Sequence, residues 1–331
     1  MAATTRTTTR TTTRTTTRTT TDTTGPATGT TPGTAAVERS APSRKRGMRS
    51  PYPTWFYLPA AIIYAVLFLV PTFASFYFSL TRWSLFDFEF IGFDNFVQFF
   101  REPALVTGLT NTVIYGVVTS GLKVVLGLLL AVLLTSQVIA RGFLRSVVFF
   151  PVLVSWIGIG ITFQVLMDPF GGFINESLAV IGIEGPGWLT DPSLALLSVA
   201  LVDVWKGVGL ATVIYIAGIV SIPQEFFEAA KVDGASAWQN FWHILLPLAR
   251  PATTTVIILS LIGGLRSFDL IWAMTRGGPG FTSDVIASVI YKQYQAGFYG
   301  LSTAGNVLLF VLVTAIVLPL SRFLNRKEVE L

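Results

Sequence analysis

Six blocks of apolar residues dominate this sequence, at roughly 55–80, 108–135, 146–167, 194–220, 251–274 and 303–324. About 20 consecutive apolar residues are what a helix needs to cross the hydrocarbon core of a bilayer. A large buried helical core is the competing reading, but blocks this long do not suit it in a chain of 331 residues. Composition agrees: 52% of residues are hydrophobic, 12% are charged and the mean hydropathy is +0.64. A soluble domain needs far more surface charge than that. The expected fold class is an all-α integral membrane protein with six transmembrane helices.

Several function classes fall away early. The chain has no cysteine, so disulfides and thiolate metal sites are excluded, and its one histidine, His243, cannot build a zinc site alone. A pI near 9.6 raises the question of nucleic acid. However, nine of the 23 Lys and Arg precede residue 51, in a segment where Thr-Thr-Thr-Arg recurs before Pro, Gly, Ala and Ser take over. Membrane insertion accounts for such a basic N-terminus without nucleic acid. Residues 1–50 have almost nothing apolar to bury, so they are expected to be a disordered cytoplasmic tail, with the transmembrane domain in 51–331. Attraction of its arginines to anionic headgroups and a translational start at Met48 are alternative readings of the tail. A cleavable signal peptide does not fit, because the first apolar block starts late and runs long.

Basic residues also set the orientation. With the N-terminus in the cytoplasm, the inner segments carry the nine tail charges plus Arg141, Arg145, Lys231, Arg250, Arg322, Arg326 and Lys327. The outer loops carry Arg82, Arg101, Arg276 and Lys292. Both termini are therefore expected inside the cell. In the first outer loop, Asp94 is a candidate cap for a short helix that phenylalanines would lay on the membrane surface. In the third, Gly277, Gly278, Pro279 and Gly280 signal a turn.

The most informative stretch lies between the fourth and fifth blocks, at about 221–250. Ser221 with Gln224 reads as a capping box, with Pro223 in the first turn. Glu228 and Lys231 sit one turn apart, Ala229 and Ala230 leave the surface low, and Gly234 is placed to end the helix in a left-handed conformation. A second segment, Ala235 to Leu246, carries Trp238, Phe241, Trp242 and Leu245 on one face, with Pro247 and Pro251 before the fifth span.

Glu228, Ala229, Ala230, Gly234, Ile244, Leu246 and Pro247 follow the spacing Glu-Ala-Ala, three residues, Gly, nine residues, Ile-x-Leu-Pro. This resembles the signature of permeases in binding-protein-dependent ABC importers. The stretches RGFLRSVVFFP, DVWKGVG, FWHILLPLARP and GGPG are similar to the carbohydrate permeases of maltose and glycerol-3-phosphate systems. The resemblance runs from about 55 to 325 and leaves out the tail. It implies a type I importer permease fold and a coupling helix in this loop that docks on the ATPase subunits. It further implies two copies of that ATPase, a second permease subunit, an extracytoplasmic solute-binding protein, and a sugar or polyol as the solute. The chain would be a transporter subunit, without a cofactor, in the bacterial cell membrane and surrounded by its lipids.

The residues agree about the energy source. None of the six lysines follows a glycine, so there is no Gly-Lys-Ser/Thr phosphate loop and ATP hydrolysis is expected on another chain. Five ionisable residues fall inside the apolar blocks: Lys123, Asp203, Lys206, Arg266 and Asp269. Charge at that depth faces a cavity or a partner. Asp203 and Lys206 share a helix face, as do Arg266 and Asp269. Either each pair neutralises itself and fixes packing, or some of these residues line a solute path with Trp205, Asn111 or Gln164. Two rival readings make different demands on the sequence. A secondary transporter would show inverted repeats and discontinuous helices, and a membrane glycosyltransferase would need a carboxylate cluster at a membrane face.

Overall fold

The computed structural model describes residues 54–84, 86–136 and 138–326. The Thr/Arg-rich tail, and with it the expectations placed on residues 1–50, lies outside them. Four helices are long and apolar enough to cross a membrane: α1 (Trp55–Phe78), α3 (Pro103–Thr135), α7 (Ala195–Val220) and α13 (Tyr299–Asn325). Two further spans are bent. α4 (Arg141–Leu153) meets α5 (Trp156–Leu166) at 97°, and α9 (Ala237–Leu248) meets α10 (Arg250–Leu265) at 67°. Counting each bent pair once gives the six expected spans, so the third block is a correction in shape rather than in number. Val154 and Ser155 are extended and interrupt its helix, and Pro151 just before them cannot donate a backbone hydrogen bond. The fifth block is interrupted a second time at Arg266–Phe268, before α11 (Asp269–Met274).

Shorter elements join the spans. A hairpin of β1 (Thr81–Trp83) and β2 (Phe88–Phe90) pairs Thr81 with Phe90 and Trp83 with Phe88, a feature the apolar pattern does not announce. α2 (Asp94–Arg101) follows, but Asp94 is its first residue rather than its cap, and Phe93 holds the cap position. Asn95 takes the stitching role instead, donating to the carbonyls of Ser79 and Thr81, both at 2.8 Å. Nor does α2 only lie on a surface. Phe99 is buried against Leu105, Ile286, Val289 and Leu301, while Phe93 and Phe100 stay exposed. α6 (Phe173–Val180), α8 (Gln224–Val232) and α12 (Ile286–Gln295) complete the order.

The packed centre is α3 against α7 and α10. Small residues allow it, as is usual where lipid supplies no hydrophobic drive between helices. A Cβ on Gly127 would come within 2.8 Å of the Ala211 side chain, and one on Gly264 within 2.8 Å of the Gly116 Cα. The outlying spans contrast with this centre. None of the apolar window of α1 is buried, against 56% for α7.

Candidate functional site

Two charged residues meet inside this centre. Lys123 of α3 donates to Asp203 of α7 at 2.6 Å, and both side chains are almost fully buried. Of the two readings left open for Asp203 and Lys206, the self-neutralising pair within α7 is not what forms: Asp203 is claimed by Lys123 from another span. Gly207 makes room for this, since a Cβ there would sit 2.6 Å from the Lys123 Cε. Lys206 turns elsewhere. Its Nζ donates to the Val152 carbonyl at 3.2 Å and lies 4.1 Å from the centroid of the Trp156 ring. Arg266 and Asp269 likewise form no ion pair with each other, and both are exposed at the interruption after α10.

A cavity of about 210 Å³ opens at this point, lined by Lys123, Trp156, Asp203, Gly263, Arg266, Ser267, Phe268, Asp269 and Leu270. It gathers both breaks of helical structure, one after Leu153 and one after Leu265, around the Lys123–Asp203 pair. Broken helices at membrane depth are tolerated where their backbone is buried in protein or lines a cavity. Four of the six residues singled out for a solute path border it. Lys206 and Trp205 do not; Trp205 is half exposed and rests on the Phe163 ring at 5.3 Å. Asn111 and Gln164 lie elsewhere. Asn111 holds the Gly-Gly-Pro-Gly turn by donating to the carbonyls of Thr282 and Asp284, and Gln164 borders a different cavity. The sequence reading missed Trp156, Ser267 and Phe268. Their only signal is position: each adjoins a break or a charge within an apolar block.

The turn held by Asn111 is sealed by polar contacts. The Asp284 carboxylate accepts from Lys292 at 2.6 Å and from Ser288 at 2.7 Å, and burial pushes its pKa above the usual carboxylate range. Gly277, at φ +83°, lies so close that a Cβ would collide with that carboxylate.

The loop at 221–250 has the opposite character. α8 ends in a left-handed Gly234, φ +78°, with Ala235 N–H donating to Ala230 O and Gly234 N–H to Lys231 O, the paired bonds of a glycine-capped helix end. A capping box exists here, but at Ser236 with Gln239 rather than at Ser221. The Ser221 hydroxyl bonds back to Gly218 O, leaving Pro223 as the unassisted cap of α8. Within α9, Phe241–Leu245 widens into a π-helical turn just before Pro247. Trp238, Phe241 and Trp242 pack on one another with centroids 5.3 to 6.2 Å apart. Glu228, Ala229 and Gly234 are exposed, while Ala230, Ile244, Leu246 and Pro247 are half buried. Space around Gly234 is open, with no atom within 4 Å of a Cβ built there.

Comparison with known proteins gives this geometry its setting. Residues 123–328 match the family described as binding-protein-dependent transport system inner membrane component. A probable ABC transporter permease of Bacillus subtilis, YurN, is 32% identical over 283 residues, covering 83% of this chain and 97% of that protein. The trehalose/maltose transport system permease protein MalF of Thermococcus litoralis is 33% identical, covering 80% and 92%. Among solved structures, a bacterial ABC transporter involved in the import of alginate superposes with a TM-score of 0.71 at 26% identity, covering 82% of this chain and 94% of that one. Discontinuous spans therefore do not single out a secondary transporter, and among the described residues the small hairpin departs from the all-α architecture expected. The chain belongs to the family of inner membrane components of binding-protein-dependent transport systems, and is the membrane-spanning permease of an ABC importer.

Proposed function

We propose that this permease imports a sugar or related polyol, and that the cavity beside Lys123 and Asp203 lies on the solute path. The observation that carries the reading is the cavity itself. It offers acceptors and donors of both signs (Asp203, Asp269, Lys123, Arg266, Ser267) beside the rings of Trp156 and Phe268. Sugar hydroxyls match the polar groups, and the apolar faces of sugar rings match the aromatic ones. The similar permease of Thermococcus litoralis belongs to a trehalose/maltose transport system and the similar solved transporter to alginate import, which supports the same solute class.

The loop at 221–250 is the coupling element in this reading. Glu228, Ala229, Ala230, Gly234, Ile244, Leu246 and Pro247 dock on an ATPase subunit, which supplies the phosphate loop this chain lacks. Two ATPase copies sit on the cytoplasmic side with both termini of the permease. A second permease subunit covers part of the exposed apolar surface, lipid covers the rest, and a solute-binding protein delivers the sugar outside. The exposure of the loop's small residues supports the docking, and the weight of basic residues supports the orientation.

The test is reconstitution of the complete importer in proteoliposomes with labelled maltose and trehalose as probes. ATP-dependent uptake of either is the expected result. Uptake driven by an ion gradient without ATP would overturn the reading.

A further inference from the structure

The break in the third span leaves carbonyls unpaired at the end of α4, and a bilayer offers no water to satisfy them. Lys206 of α7 answers one of these, the Val152 carbonyl, at 3.2 Å. The same ammonium lies over the ring of Trp156, the first residue of α5. One group thus touches the last turn of one limb and the first residue of the other. Its side chain is buried, with Lys206 only 3% exposed. α7 is held where it can deliver this contact, because Gly209 packs directly on the backbone of Val148 and Phe149, leaving no room for a Cβ. A cation at a helix C-terminus opposes the helix dipole favourably, and a desolvated ammonium over an indole ring is attracted to its face. The Asp203 carboxylate makes its ion pair with Lys123 instead.

We infer that Lys206 is a positioning residue: it pins the two limbs of the third span at their bend and so sets the Trp156 ring in the cavity wall. The inference leans on the proposed solute path only for the use to which Trp156 is put. The pin itself is measurable without any solute, so the two can fail separately.

The chain contains no cysteine, which makes paired spin labels site-specific. Labels at Phe143→Cys and Val165→Cys, both exposed, report the angle between the limbs by pulsed dipolar spectroscopy on the full chain in lipid nanodiscs. Leu197→Cys with Val213→Cys on the straight α7 is the control. Lys206→Met should roughly double the width of the first distance distribution, because the freed carbonyl loses its partner, and leave the control unchanged. Lys206→Arg keeps a donor and a charge and should restore the narrow distribution. Trp156→Leu, which removes only the ring, should widen it less, and serves if Lys206→Met inserts poorly. An unchanged distribution in Lys206→Met and Trp156→Leu overturns the pin. So does equal widening in the control, or an arginine variant as broad as the methionine one.

Discussion

The charge pair inside the membrane and the loop at 221–250 spend their polar groups in opposite ways. Lys123 and Asp203 are turned on each other at 2.6 Å and almost fully buried at the edge of the cavity. Glu228 and Lys231 lie exposed one turn apart and form no ion pair among the described residues. The first region is complete within this chain. The second presents a small-residue face, an open glycine and an apolar cluster that no other element covers among the described residues. Damage to the first should show in folding, and damage to the second in assembly.

The largest effect is expected at Asp203→Ala. It leaves the Lys123 ammonium buried without a partner, and breaking a buried pair from one side costs about 3–5 kcal/mol. Membrane levels of folded, detergent-extractable protein should fall steeply. Lys123→Met combined with Asp203→Leu should recover most of that loss, since a packed apolar pair is often neutral or better. If the double variant is as poorly folded as the single one, the pair is not what holds α3 to α7 at this point.

Gly234→Asp probes the other side of the comparison. The position has φ +78° but open space, so the cost to folding is local strain of about 1 kcal/mol. Insertion should be normal. If the proposed docking face is right, a charge pressed into it should weaken capture of the ATPase subunit about 100-fold. Pull-down at matched membrane levels reads this, and full retention of the ATPase with undiminished uptake would remove this loop from the coupling role.

The smallest effect is expected at Ser236→Ala, which deletes the capping box at the start of α9. Loss of such a cap costs about 1 kcal/mol. Faster amide exchange over 237–241 should accompany nearly unchanged expression, with partial loss of ATPase capture. Exchange that does not change would mean that the Trp238–Phe241–Trp242 cluster, rather than the cap, holds this helix.

Much of this fold was legible because membrane spans announce themselves by length and apolarity alone. The boundaries of α1, α7 and α13 match the apolar blocks to within a few residues, and Gly234 could be assigned its left-handed conformation from a glycine standing at a helix end. The cap was misplaced because Ser221 and Ser236 each precede a glutamine by three residues. Only the fold shows that the Ser221 hydroxyl is spent on Gly218. The hairpin at 81–90 escaped because three-residue strands leave no periodicity to read.

The sequence by itself determined that this chain spans a membrane six times, lacks a phosphate loop and carries a family's loop signature. Those properties depend on local runs and fixed spacings. The tertiary structure decided which charge met which. Asp203 and Lys206 share a helix face, so spacing pairs them, yet close packing at Gly207 brings Lys123 to Asp203 and the bend after Leu153 draws Lys206 to Val152. Helical spacing states which groups can meet along one element. Which of them do meet is set by groups on other elements, because in a bilayer every buried charge and every freed carbonyl must find its partner within the protein.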